Sequence, residues 1–118
     1  MPKRNDRAAP PARADEWTLI FADNAAAEGW EALCTAAAGN TRKAWEHLSL
    51  DPRDRSQNPG RIGPLKGDVV GKRKIGGREL EQWQYEVTAG GRIWYCSDDE
   101  NKTVHITYAS PKHPKLTE

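Results

Sequence analysis

Three side chains in the C-terminal half of the sequence could act together on a phosphodiester. Glu86, Arg92 and His105 supply a carboxylate, a guanidinium and an imidazole. A basic segment near the C-terminus adds three further groups, Lys112, His113 and Lys115. Cationic side chains attract phosphates, and an imidazole gives or takes a proton near neutral pH. These residue types predict a phosphodiester site if the fold gathers them on one surface.

The alternation of apolar and polar residues predicts that three strands share one polar face. Strands are predicted over 78–87, 92–97 and 102–108, each with apolar residues at every second position. One face of such a sheet is buried and the other stays open. The predicted open face consists of Gln84, Glu86, Arg92, Trp94, His105 and Thr107. The alternative is an ordinary solvated sheet face, on which mixed charges are common.

Two helices and two further strands complete the predicted elements. Residues 16–21 predict a strand, and a helix follows that ends near Gly39. A second helix is predicted to start at Asn40 or Thr41 and to end before Pro52, and each helix has one apolar stripe. A long irregular loop, rich in proline and glycine, leads to a strand at 71–75 and a tight turn at 76–77. The predicted core joins Trp30, Leu33, Trp45 and Leu48 of the helices to Trp83, Tyr85, Ile93, Tyr95, Val104 and Ile106 of the sheet, with Tyr108 on the same strand face.

The order of these elements predicts an α+β fold, in which a strand and two helices precede an antiparallel meander. The helices pack on one face of the sheet, because that face is apolar. A chain of 118 residues is long enough for one domain, predicted at 15–118. Residues 1–14 hold three prolines and four alanines and predict a flexible basic tail that contributes nothing to a core.

Hydropathy and cysteine spacing exclude several classes of function. No stretch approaches the roughly 18 apolar residues of a membrane span, so no membrane partner is expected. The basic start is followed by charged residues instead of an apolar segment, which predicts a cytoplasmic location. Cys34 and Cys96 stand apart, without His or Cys neighbours at metal-ligand spacing. We therefore expect two free thiols, no metal and no cofactor.

A local excess of positive charge lies in the middle of the chain. Residues 53–78 contain eight basic and two acidic residues, although the whole chain has a formal charge of +1. Such an excess can attract nucleic acid, and Arg61, Lys66 and Lys74 are its candidate phosphate-binding residues. The alternative is a solvated basic surface or one that meets an acidic protein.

Motifs spread over nearly the whole chain after the tail resemble the RelE/ParE superfamily of bacterial toxins. The motifs are Asn58-Pro59 and Pro64-Leu65-Lys66-Gly67 in the loop, Trp83-Gln84-Tyr85-Glu86-Val87 on a strand, Gly91-Arg92-Ile93-Trp94-Tyr95 after a turn, Asp98-Asp99-Glu100, and the ending Ser110-Pro111-Lys112-His113-Pro114-Lys115. The resemblance implies the toxin of a type II toxin–antitoxin module, and hence a cognate antitoxin as partner.

The resemblance also implies a reaction, cleavage of mRNA at the ribosome by attack of a ribose 2′-OH on its own 3′-phosphate. Arg92 is then the residue that holds the scissile phosphate, and His113 exchanges a proton with the hydroxyl or the leaving oxygen. Glu86 orients His113 or acts as the base. Lys112 and Lys115 hold the RNA backbone.

Departures from the family pattern leave two alternative functions open. Gln84 and Glu86 stand where several ribonuclease members carry lysines, and the sequence ends at Glu118 without the terminal catalytic Tyr of some relatives. One alternative is a non-catalytic, protein-binding toxin of the DNA gyrase inhibitor type. Another is an inactive relative that binds an antitoxin or RNA. For the single residues, the alternative for Arg92 is a salt bridge with Glu86, and the alternative for His113 is an ordinary surface histidine.

Overall fold

A computed structural model describes residues 3–5, 8, 15–56 and 59–112 of the chain. In these ranges the elements are β1 (Thr18–Phe21), α1 (Asn24–Ala36), α2 (Ala38–Leu50), β2 (Ile62–Pro64), β3 (Lys72–Ile75), β4 (Arg78–Glu86), β5 (Arg92–Asp98) and β6 (Thr103–Ser110). The predicted α+β class is confirmed. Neither helix in the described ranges has the length and apolar character needed to cross a membrane.

The six strands form a mostly antiparallel sheet in the order β1-β6-β5-β4-β2, and β3 pairs with β4 beside this path. β1 is the exception, because it runs parallel to β6. The β3–β4 hairpin turns at Gly76 and Gly77, whose φ angles of 56° and 83° suit glycine. The meander therefore has the predicted order.

Both helices cover one face of the sheet and bury its apolar residues. Asp23 caps α1, because its carboxylate accepts a hydrogen bond from the amide of Ala26 at 2.8 Å. At Gly29 the helix lies so close to β6 that a Cβ atom would stand 1.7 Å from the carbonyl oxygen of Ala109. The buried core includes Leu33, Leu48, Ile93, Tyr95, Val104 and Ile106, and Trp83 and Tyr85 pack against it.

The prediction that Tyr108 shares the strand face of Val104 and Ile106 is wrong. A β-bulge shifts the pairing of β5 with β6, so that Trp94 pairs with Tyr108 but Tyr95 pairs with Ile106. The extra residue moves the following side chains to the opposite face. Tyr108 therefore stacks on Trp94 on the open face, with ring centroids 4.9 Å apart, and Ala109 takes its place in the core.

Three local predictions also differ from the structure. The second helix begins at Ala38 instead of Asn40 or Thr41, because the Thr41 hydroxyl donates back to the carbonyl of Leu33 and does not cap a helix. β2 lies within the predicted irregular loop. In the predicted tail, the amides of Asn5 and Ala8 donate to carbonyls of β1, and Ala8 is buried in the core.

Candidate functional site

The strand register places four residues side by side across the open face. Arg92 on β5 is the direct partner of Glu86 on β4 and of Ser110 on β6. The amide of Glu86 donates to the carbonyl of Arg61 at 2.8 Å, which extends the pairing to the residue before β2. We call Arg61, Glu86, Arg92 and Ser110 the charged row. It contains two of the predicted catalytic residues and one of the predicted phosphate-binding residues.

The guanidinium of Arg92 is buried beneath the turn between β4 and β5. Its Nη1 donates to the carbonyls of Thr88, Ala89 and Gly91 at 3.0 to 3.1 Å. Its Nη2 stands 3.6 Å from a Glu86 carboxylate oxygen. Nε is buried and has no hydrogen-bond partner among the described residues. Arg92 therefore stabilises the turn and fixes the Glu86 side chain. The salt bridge with Glu86 is the alternative to phosphate binding that the sequence predicts for Arg92.

Glu86 and Lys112 are the more accessible groups at this corner of the sheet. The side chain of Glu86 is 28% exposed, whereas that of Arg92 is 7% exposed. Lys112 is exposed just beyond β6, and its amide donates to the hydroxyl of Ser110 at 3.0 Å. The chain therefore leaves the sheet beside Glu86 and Arg92. The predicted residues His113 and Lys115 lie outside the described residues.

A second row across the open face fixes the orientation of one amide. Gly63 on β2 pairs with Gln84 on β4, which pairs with Trp94 on β5. The indole N–H of Trp94 donates to the amide oxygen of Gln84 at 2.9 Å. Because the oxygen accepts this bond, the amide nitrogen of Gln84 is directed elsewhere. Tyr108 completes the row by stacking on Trp94. We call Gly63, Gln84, Trp94 and Tyr108 the second row.

The far end of the open face is covered by the chain itself. Arg73 on β3 reaches across it and donates to Asp23 at 3.1 Å and to the carbonyl of Thr107 at 3.4 Å. Beneath it, the Gln82 amide nitrogen donates to the carbonyl of Val70 at 2.8 Å, and the Thr107 hydroxyl donates to the Gln82 amide oxygen. We call Gln82, Cys96, His105 and Thr107 the covered end.

Burial governs the titration of the groups at the covered end. Desolvation lowers the pKa of His105 below its ordinary 6.5, although the charge of Asp98 opposes the shift. Burial also raises the pKa of the Cys96 thiol to about 11. These directions favour a neutral imidazole and a neutral thiol, so His105 is a poor cationic partner for a phosphate. It lies apart from the charged row, although both share the open face.

Two predicted phosphate-binding residues are exposed but stand away from the charged row. Lys74 on β3 is the cross-strand partner of Glu79, and Lys72 is that of Glu81. The positive charge of this hairpin is thus opposed directly by its neighbouring strand. Lys66 follows Leu65, whose amide pairs with Gln82, four positions along β4 from Glu86. A role for Lys66 or Lys74 in RNA binding remains a prediction.

Sequence reasoning missed Arg55, which lies close to the second row. Its Nε donates to the carbonyl of Ile62 at 2.7 Å, and its Nη2 donates to that of Pro59 at 3.0 Å. The contact of Arg55 with the carbonyl of Ile62 depends on β2. This strand could not be predicted, because three residues that include a glycine and a proline show no alternation of apolar and polar side chains. Within the described ranges, no cluster of His, Cys, Asp and Glu side chains could hold a metal ion.

Comparison with known proteins adds no family assignment. No protein-family model matches the chain, and no curated protein is significantly similar to it.

Proposed function

We propose that the chain is a RelE/ParE-type toxin of a type II toxin–antitoxin module and cleaves mRNA at the ribosome in the cytoplasm. The observation that carries the proposal is the charged row. Glu86, Arg92 and Ser110 are direct neighbours across three strands, and the basic C-terminal segment begins beside them. A base, an arginine that fixes it and cations at one corner are groups that phosphodiester transesterification can use.

In the proposed reaction, Glu86 acts as the base. Its carboxylate takes the proton of a ribose 2′-OH, the 2′-oxygen bonds to the adjacent 3′-phosphorus, and the bond from phosphorus to the 5′-oxygen breaks. His113 gives a proton to the departing 5′-oxygen, leaving a 2′,3′-cyclic phosphate and a free 5′-hydroxyl. Lys112 and Arg61 offset the charge that develops on the phosphate. Lys115 holds the RNA backbone further along the strand.

Arg92 has a different role from the one that the resemblance implies. Three carbonyls and Glu86 already occupy its guanidinium, so the proposal makes it a positioning residue that fixes the Glu86 carboxylate. A bound phosphate would have to replace these contacts. The cognate antitoxin would inhibit the toxin by covering the open face near Glu86 and Lys112.

Primer extension on cellular mRNA after induced expression tests the proposal. Glu86→Gln keeps the shape of the side chain but removes its basic oxygen, so we expect new mRNA 5′ ends from the wild-type chain and at least a hundredfold fewer from this variant. Glu79→Gln is the matched control, because Glu79 is an exposed residue on the same strand, away from the charged row. Equal cleavage by the wild type and Glu86→Gln would reject Glu86 as the base.

One observation favours a second candidate, a toxin that acts by binding a protein such as DNA gyrase. Nη1 and Nη2 of Arg92 already contact the turn and Glu86, and the open-face residues Gln84 and Glu86 on β4 are not cations. A binding surface needs no such cations. If the wild-type chain arrests growth without new mRNA ends, and Glu86→Gln arrests it equally, this candidate replaces the nuclease.

A further inference from the structure

We propose that a cavity over Gly63 binds a phosphate of the same RNA strand that the charged row cleaves. This inference rests on the proposed function and identifies where the protein binds the RNA away from the scissile bond. The cavity has a volume of about 180 Å³ and lies where β2 meets the second row of the open face. Arg55, Arg61, Gly63 and Gln84 line it.

Gly63 leaves room for a guanidinium above the strand. A Cβ atom at this position would stand 3.2 Å from Nη2 and 3.3 Å from the central carbon of Arg55. The guanidinium is held by its bonds to the carbonyls of Ile62 and Pro59. Its Nη1 makes no hydrogen bond to the residues that the structure describes. Arg55 therefore offers a cation whose position is already fixed, which reduces the entropy lost on binding.

The polar side chains around the cavity are hydrogen-bond donors. The Gln84 amide oxygen is occupied by the Trp94 indole, so the amide nitrogen is the group that Gln84 offers to a ligand. Arg55 and Arg61 have only donors. No carboxylate side chain of the described residues lines the cavity. A ligand that matches this lining has acceptors only and a negative charge, which describes a phosphodiester.

The position of the cavity fits one RNA strand that also reaches Glu86. Gly63 pairs with Gln84, which is two residues from Glu86 along β4. Strand geometry puts Gly63 and Glu86 about 8 Å apart. Arg61 lies between them, since it stands opposite Glu86 and also lines the cavity. A strand whose scissile phosphate lies at Glu86 can therefore place a neighbouring phosphate in the cavity.

The test is the affinity of the full chain for an octanucleotide of 2′-O-methyl RNA, measured by fluorescence anisotropy. This probe lacks the attacking 2′-hydroxyl, so binding is measured without cleavage. Gln84→Glu keeps the oxygen that accepts from Trp94 but replaces the amide donor with a negative charge. Arg61→Gln removes an exposed charge without disturbing a buried contact. Lys43→Gln on α2 is the charge-matched control.

We expect Gln84→Glu and Arg61→Gln each to weaken binding about tenfold or more, and Lys43→Gln to leave it unchanged. Arg61→Gln should also reduce the slope of log affinity against log salt by about 1. No binding by the wild type overturns the inference, as does equal binding by Arg61→Gln and Lys43→Gln. Displacement of the RNA at equal concentration by an acidic peptide of the same charge overturns the nucleic-acid assignment.

Cleavage of unmodified RNA, measured in parallel, separates this inference from the proposed function. If the wild type binds the probe, both cavity variants bind it weakly and no protein cleaves RNA, the cavity assignment stands and the nuclease proposal fails. If Glu86→Gln abolishes cleavage but Gln84→Glu binds and cleaves like the wild type, the nuclease proposal stands and the cavity assignment fails.

Discussion

The two ends of the open face use similar polar residues in different ways. At the covered end, Gln82 and Thr107 satisfy each other and the carbonyl of Val70, beneath an arginine from β3. At the charged row, Glu86 keeps 28% of its side chain exposed, and Lys112 is exposed just beyond β6. One end of the face is closed by the chain, and the other has groups available to a ligand.

This difference shows that facing the same way on a sheet does not make a set of residues one site. Strand alternation alone assigns His105 and Arg92 to a common face, and the structure agrees. The β3–β4 hairpin then covers one end of that face and leaves the other accessible. Position along the strand therefore decides which polar side chains can meet a substrate.

The largest difference in the free energy of unfolding is expected when the arginine at each end, Arg92 or Arg73, is replaced by alanine. Arg92→Ala leaves Glu86 and three turn carbonyls without their donor, and loss of one partner of such a buried charge costs about 3 kcal/mol of the free energy of unfolding. Arg73→Ala breaks an ion pair whose side chains are 38% and 39% exposed, worth about 1 kcal/mol or less. Urea denaturation measures both. Equal losses would contradict the assignment of Arg92 to a buried structural contact.

A smaller effect is expected from the hydrogen bonds within the covered end. Thr107→Val keeps the shape of the side chain but leaves the buried Gln82 amide oxygen without its donor. The unfolding free energy should fall by about 1 to 3 kcal/mol. Thr103→Val is the control, since the Thr103 hydroxyl bonds a carbonyl at an exposed position. If the two variants are equally stable, the covered end is hydrated and not closed.

The smallest effect is the dependence of stability on the titration of His105. Its pKa is lowered in the folded chain by desolvation, so between that value and 6.5 the unfolded chain binds more protons than the folded one. Stability should therefore decrease as the pH falls through this window. Denaturation at several pH values between 7.5 and 5 measures the slope, which should be shallower in His105→Asn. An unchanged slope would mean that His105 is not buried at the covered end.

Much of the fold follows from periodicity, because each element has one apolar stripe or face. The two helices, the β3–β4 hairpin and the pairing of Glu86 with Arg92 were all predictable in this way. The face on which Tyr108 lies was not predictable, because one extra residue at a β-bulge inverts the alternation and the sequence pattern does not indicate the bulge. β2 and the position of Ala8 beside β1 were not predictable either, because both depend on backbone hydrogen bonds that side-chain patterns do not indicate.

The candidate site was predictable in its residue types and less so in their roles. Alternation alone brings Glu86 and Arg92 together. Whether the arginine faces a ligand or the chain depends on the conformation of the turn at 88–91, whose carbonyls bind the guanidinium. The fixed orientation of Gln84 depends likewise on its contact with Trp94 across two strands. Neither contact has a signal in sequence spacing.

The most direct test of the account compares one side chain from each end of the open face in a single-turnover assay of ribosome-bound mRNA cleavage. The charged row should carry the reaction, so Glu86→Gln should lower the cleavage rate at least a hundredfold, whereas His105→Asn should stay within about threefold of the wild type. Circular dichroism confirms that both variants are folded. A large loss in His105→Asn with little change in Glu86→Gln would place the reaction at the covered end and contradict the account.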